Sequence, residues 1–297
     1  MITPPFLKIG DTVGIVCTAR KITTTELQPF LVLLNDWGLN YTIGKTINAQ
    51  DHQFAGDDKL RAADFQEMMD NPAINAIWCA RGGYGTVRII DQLDFSAFKK
   101  APKWIIGYSD VTVLHYTLHN LGVASLHSQM GLEIEKKTEA TRQSIYDVLF
   151  GKNHIIEYAS EGSLNRVGTA QGELVGGNLS VIASLLGSPS AIETKEKILF
   201  LEDLDEYVYH IDRMIQNLKR NGLFSELKGL IIGGMSQMND NTIPFGKTAE
   251  KIIWDAVKEY KYPVCFGFPA GHIADNRALV IGGDARLSVS VKKVTLQ

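Results

Sequence analysis

Apolar and polar positions change rhythm repeatedly along the chain, and each change marks an element. Residues 12–17 (Thr12-Val13-Gly14-Ile15-Val16-Cys17) form a short apolar run that predicts a strand ending in Thr18-Ala19-Arg20. Over residues 23–37 the apolar positions Leu27, Phe30, Leu31 and Leu34 recur with the helical period, and Gly38 closes the segment. A short strand at 40–43 follows, then a helix over 57–69 stopped by Asn71-Pro72. A strand at 74–79 leads into Ala80-Arg81-Gly82-Gly83-Tyr84-Gly85-Thr86 and a helix toward Leu93. The run Trp104-Ile105-Ile106 reads as a buried strand broken by Gly107, with a helix over 111–121, a strand over 123–126 and a helix over 138–149. This alternation predicts a parallel, doubly wound α/β sheet, whose sites lie at the carboxyl ends of the strands. Arg81 to Gly85 and Ser109 are both expected at such ends.

Residues 151–172 are polar and lose the alternation, and they contain Glu161-Gly162-Ser163 and Gly168. The domain boundary is expected there, giving domains 1–160 and 161–297. In the second half, Gly172-Glu173-Leu174-Val175 leads into Gly176-Gly177-Asn178 and a helix ending at Leu186. A strand over 197–201 ends in Glu202-Asp203-Leu204-Asp205, and the helix after it shows Val208, Ile211, Met214, Ile215 and Leu218 on one face. A strand over 227–232, a polar loop over 236–246 and a helix over 247–260 precede a run of short strands whose turns include Pro269-Ala270-Gly271-His272.

A chain of 297 residues with 45% hydrophobic content is long enough for two ordinary domains. The net charge of -3, without a basic stripe interleaved with aromatics, argues against a nucleic-acid partner. No apolar run approaches the ~20 residues that span a bilayer, so no membrane partner is expected. Residues 1–10 hold one lysine and two prolines and do not read as a signal peptide. Cys17, Cys79 and Cys265 are sparse and form no CxxC, which fits a reducing cytoplasm and leaves open a secreted form that has lost its leader.

Candidate chemistry centres on Ser109, placed on a sharp strand-to-helix turn that lifts a hydroxyl clear of the sheet and aims backbone N–H groups beside it. The competing reading is that Ser109 or Asp110 simply caps the helix. A serine nucleophile needs a base and an orienting acid. His127 at a strand end and His272 in a turn both qualify by position. His115 and His119 have metal-ligand spacing without a supporting carboxylate pattern, so no metal and no cofactor are expected. His52 and His154 sit in polar loops, and His210 is helical. Glu202 is the acidic candidate, since it ends an apolar strand and needs a partner there; it could instead cap the next helix. The Gly82-Gly83 loop forms a candidate anion nest. It matches neither GxxxxGK[ST] nor GxGxxG, which argues against nucleotide binding. Cys79 lies within an apolar strand, where a thiol is usually inert.

Five stretches together resemble the murein tetrapeptide LD-carboxypeptidase family, which includes microcin-immunity-type serine peptidases. They are Ala80-Arg81-Gly82-Gly83-Tyr84-Gly85, Gly107-Tyr108-Ser109-Asp110, Gly176-Gly177-Asn178-Leu179, Phe200-Leu201-Glu202-Asp203 and Ala270-Gly271-His272. The resemblance implies a flavodoxin-like N-terminal domain and a strand-rich C-terminal domain. It implies Ser109 as nucleophile, His272 as base and Glu202 as its orienting acid, with oxyanion donors from the Asp110 N–H and the Gly82-Gly83 loop. The implied partner is a small peptide, a murein tetrapeptide losing its terminal D-alanine during peptidoglycan recycling in the cytoplasm. A homodimer is implied as well. An immunity-type peptidase acting on an aminoacyl-nucleotide antibiotic is the alternative, and a non-catalytic anion-binding protein is the alternative of another class. Two loops depart from the family pattern: Cys17-Thr18-Ala19 lacks the usual proline, and Ile273-Ala274-Asp275-Asn276-Arg277 lacks the Gly-rich form. Both departures bear on the substrate more than on the mechanism. GxSxG of the α/β-hydrolases fails, because Val111 stands where the last glycine would be.

Overall fold

The computed structural model describes residues 1–160 and 164–297. The chain forms two compact units, one of Met1–Asn153 with Ala274–Ile281, the other of His154–Ile273 with Gly282–Gln297. The boundary expected at 160/161 abuts Glu161, Gly162 and Ser163, which lie outside the described residues.

In the first unit the strands β1 (Thr12–Val16), β2 (Asn40–Ile43), β3 (Ala76–Cys79), β4 (Trp104–Gly107) and β5 (Ser125–His127) are parallel. The sheet runs 2-1-3-4-5, the flavodoxin-like doubly wound order, and an antiparallel edge strand β11 (Leu279–Ile281) is added beside β5. β3 and β4 are buried at every residue, which explains why they read as unbroken apolar runs: helices cover both faces of such a sheet. The helices are α1 (Thr24–Asp36), α2 (Asp58–Asp70), α3 (Thr112–Asn120) and α4 (Glu139–Leu149). α1 begins at a capping box in which Thr23 accepts from the Glu26 N–H and Glu26 accepts from the Thr23 N–H. The helix expected toward Leu93 is instead two 3-10 turns, Thr86–Arg88 and Ile90–Gln92. Neither turn has a side-chain cap, and the β-branched Val87, Ile89 and Ile90 weaken a continuous helix.

The second unit holds a seven-stranded sheet of β6 (Ile156–Ala159), β7 (Gly168–Asn178), β8 (Ile198–Leu204), β9 (Gly229–Ser236), β10 (Val264–Cys265), β12 (Asp284–Val289) and β13 (Lys293–Leu296). Its order is β10-β9-β8-β7-β12-β13-β6, parallel from β7 to β10 and antiparallel from β7 to β6. The helices are α5 (Leu179–Leu185), α6 (Val208–Arg220) and α7 (Ala249–Val257). α6 buries Val208, Ile211, Met214, Ile215 and Leu218, the five positions its apolar period selects.

Two strands run further than their apolar pattern. Gly176, Gly177 and Asn178, which follow the stretch 172–175, complete β7 and pair with Phe200, Leu201 and Glu202 of β8. Gly176 has φ +142°, and a Cβ there would fall 2.0 Å from the carbonyl oxygen of Phe200, so this pairing needs glycine. Glu202 and Asp203 lie inside β8, not after it. A bulge between Leu201 and Asp203 in the ladder to β9 shifts the register at Glu202, a device that re-aims a side chain.

Candidate active site

In the first unit, β4 ends at Gly107 and the chain turns at Ser109, which has φ +61°. A non-glycine residue held in this left-handed region costs on the order of 1–3 kcal/mol, and such strain concentrates at functional turns. Neither Ser109 nor Asp110 caps α3 with its side chain. The Asp110 carboxylate instead accepts the Thr86 N–H at 2.8 Å and is buried. Burial raises its pKa above the usual carboxylate value, while hydrogen bonds from Thr86 and Gly85 oppose that. These bonds tie the glycine loop to the residue after Ser109. Gly82 packs on Ser109 itself: a Cβ at Gly82 would lie 3.4 Å from the Ser109 Cβ. Gly83 is next in that loop, with φ +112°.

The histidines near this turn have other occupations. His115 Nε2–H donates to the Gly107 carbonyl at 3.0 Å, and the Ser125 hydroxyl donates to Nδ1 at 2.8 Å. A carbonyl can only accept, so this network fixes a neutral tautomer. Burial lowers the His115 pKa to about 3, with the neighbouring His127 acting in the same direction. His127 is fully buried in β5, its ring 5.9 Å from that of Tyr108 and 6.0 Å from that of His115. Among the described residues no group of three or more His, Cys, Asp or Glu side chains could hold a metal ion. Cys79 is buried, and burial pushes its thiol up to about 12, which suits packing and not attack.

In the second unit, Glu202 is fully buried, and its Oε2 lies 2.6 Å from His272 Nδ1. The same oxygen accepts the His272 backbone N–H at 3.2 Å. A carboxylate accepts, so Nδ1 carries the proton and Nε2 is left as the basic nitrogen. Gly271 makes the approach possible, because a Cβ there would fall 2.7 Å from the Glu202 Cβ. The Ser236 hydroxyl donates to the His272 carbonyl at 2.8 Å, which anchors the turn. α6 has no side-chain cap, so neither Glu202 nor Asp203 caps it. Asp203 is buried and accepts from Asn178 Nδ2, from the Leu204 N–H and from the Ser180 N–H, each at 2.9 Å. Burial, with the Glu202 charge beside it, raises its pKa to about 7. His210 pairs with Glu206 one turn away at 2.5 Å, and His52 with Asp51 at 2.8 Å.

The first unit therefore brings Ser109, Asp110, Gly82 and Gly83 into one neighbourhood, and the second brings Glu202 to His272. The sequence reading passed over Ser236, Asp203 as the anchor of α5, and Arg61. A signal existed for Arg61: it lies beside Ala62 on the buried face of α2, where a lone cation is out of pattern.

Residues 13–128 match the LD-carboxypeptidase N-terminal domain and residues 171–287 match the LD-carboxypeptidase C-terminal domain. The chain is 34% identical to a probable murein peptide carboxypeptidase of Bacillus subtilis, over 99% of this chain and 94% of that protein. It is 24% identical to the microcin C7 self-immunity protein of Escherichia coli, over 98% of this chain and 94% of that protein. Among solved structures, a muramoyltetrapeptide carboxypeptidase from Oxalobacter formigenes superposes with a TM-score of 0.86 at 25% identity, covering 96% of this chain and 97% of that one.

Proposed function

The chain belongs to the serine-type LD-carboxypeptidase family, and from that premise we propose that it hydrolyses the L,D-amide bond to the terminal D-alanine of a murein tetrapeptide. The observation that carries this reading is the buried Glu202 carboxylate held 2.6 Å from His272 Nδ1. A carboxylate so placed orients an imidazole and stabilises its charged form, and it has no equal value in a passive binding protein.

Ser109 Oγ attacks the amide carbonyl as its proton passes to His272 Nε2. The developing oxyanion accepts from the Asp110 N–H and from the Gly82-Gly83 loop. The C–N bond breaks as His272 returns the proton to the leaving D-alanine amine, and an acyl-Ser109 ester remains. Water, deprotonated by His272, attacks the ester, and the tripeptide leaves with Ser109 protonated again. Glu202 stays ionised throughout. We place this reaction in peptidoglycan recycling in the cytoplasm, with the enzyme a homodimer. The three cysteines, all unpaired and buried, support a reducing compartment.

Incubation with a murein tetrapeptide should release free D-alanine, read by mass spectrometry; an unchanged tetrapeptide rejects the reading. The near-full-length likeness to the microcin C7 self-immunity protein favours one second substrate class, an aminoacyl nucleotide cleaved by the same acyl transfer. Competition between the two substrates in one assay ranks them by kcat/KM. A protein that binds an anion without turning over either substrate would be the non-catalytic alternative.

A further inference from the structure

α2 buries a guanidinium among side chains that, Asp64 apart, present carbon. Arg61 shares a buried face with Ala62, Phe65 and Met68, and it is 0% exposed. A cation so buried must be paired and hydrogen-bonded. Its Nη2 donates to the Asp58 carboxylate, and its Cζ lies 4.8 Å above the Phe54 ring. Its Nη1 donates to two carbonyls from separate loops, Thr18 at 2.5 Å and Gly85 at 2.9 Å. Thr18 follows β1 and Gly85 follows β3, so one nitrogen sets the spacing between two loops at the carboxyl end of the sheet.

Further bonds extend this clamp toward Ser109. The Thr18 and Thr86 hydroxyls are 2.7 Å apart, and the Arg20 N–H donates to the Gly82 carbonyl at 3.2 Å. Thr86 N–H reaches Asp110, and Gly82 packs on Ser109. The loop from Gly82 to Thr86 is thus pinned on one side by Arg61 and on the other by the residue next to Ser109.

We infer that Arg61 is a positioning residue for acyl transfer, its guanidinium holding the Gly82-Gly83 loop at a fixed place relative to Ser109 Oγ. The inference rests on Ser109 being the nucleophile of the proposed reaction. Lysine cannot replace the fork, because a single ammonium at the end of a flexible stem does not reproduce its planar donor geometry across two carbonyls and a carboxylate.

The test compares wild type with Arg61→Lys, and with Asp58→Asn, which keeps the buried cation and removes the charge that steadies it. The readouts are kcat, KM, the pH profile of kcat/KM and the folded fraction at the assay temperature. A displacement of about 1 Å in a catalytic arrangement costs on the order of 10²-fold. Arg61→Lys should therefore lose about 10²-fold in kcat per folded molecule, with KM little changed. The pH midpoint should not move, since Glu202 and His272 are untouched. Asp58→Asn should lose less, in the same direction. Arg61→Lys with wild-type kcat per folded molecule overturns the inference. If Arg61→Lys does not fold, wild-type kcat in Asp58→Asn overturns it. Wild-type protein that releases no D-alanine rejects the proposed function itself, and this inference falls with it; that failure is seen before any variant is compared.

Discussion

His272 donates to one oxygen of Glu202 twice, through Nδ1 at 2.6 Å and through its own backbone N–H at 3.2 Å. The imidazole is thereby fixed in both tautomer and orientation by a carboxylate with no exposure to water. Glu202→Gln keeps the shape, but its amide places a donor or a neutral oxygen where the charge stood. We expect kcat to fall by ~10⁴-fold, the scale seen when the acid of a triad is made an amide, with a smaller change in KM. Residues that act as one unit are not additive, so Glu202→Gln combined with His272→Ala should be little slower than His272→Ala alone. Multiplying losses in the double variant would show that Glu202 acts independently and would return His127 as a candidate base.

Ser109 is strained as well as chemically placed. Ser109→Ala should abolish turnover, a loss of ~10⁴-fold or more, while the fold persists. Ser109→Gly should be equally inactive, yet more stable than Ser109→Ala by about 1 kcal/mol, because glycine accepts φ +61° without the Cβ penalty. Thermal midpoints of the two variants check this. Equal midpoints would mean the turn stores no strain.

The same chemistry explains which parts of the structure were legible beforehand. α6 was legible because Val208, Ile211, Met214, Ile215 and Leu218 repeat with the helical period and are all buried. The doubly wound sheet of the first unit was legible from its alternation of strands and helices, and its flavodoxin-like order through the family resemblance, but β11 was not: sheet membership of a three-residue strand is non-local, and nothing near Leu279 announces pairing with β5. Gly176 to Asn178 carry no apolar side chain to extend the strand pattern, and only the partner strand shows that the glycine accommodates the Phe200 backbone. β8 looked as if it stopped at Leu201 because hydrophobicity stops there, although Glu202 and Asp203 are as buried as the residues before them. Glu202 and His272 could be named through the resemblance of their motifs, whereas the choice between His127 and His272 was not available from position alone.

Gly176→Ala tests the strand pairing directly. The new Cβ would meet the backbone of Phe200 at 2.0 Å, at a φ of +142° that disfavours any side chain. Backbone cannot yield as a flexible side chain does, so the expected loss is about 4 kcal/mol or more, at the severe end for a single change. Urea denaturation measures it. A loss under about 1 kcal/mol, typical of an ordinary substitution, would mean that β7 and β8 separate there at little cost.

Asp203 should make stability depend on pH. Its carboxyl is raised from 3.8 to about 7 by burial and by the charge of Glu202, against hydrogen bonds from Leu204 and Asn178. Glu206 adds a further negative charge, and the Ser180 N–H donates to the other carboxyl oxygen. The folded protein therefore keeps a proton on Asp203 at a pH where the unfolded chain has released it. A proton bound only in the folded state stabilises it, so this contribution is complete below the unfolded value, 3.8, and is lost as pH rises through the folded value, about 7. Above that range both states are ionised and the slope vanishes. Asp203→Asn cannot titrate, so the stability of wild type relative to Asp203→Asn should fall between pH 4 and pH 7, the window those two values define, and level off beyond it. Urea denaturation of both proteins across that range measures the difference and cancels the titration of groups they share. Repeating the comparison in a Glu202→Gln background removes one of the three causes that raise the carboxyl, so the fall should be complete at a lower pH. Parallel curves for wild type and Asp203→Asn would show that Asp203 is ionised in the folded protein throughout, held so by its three donors.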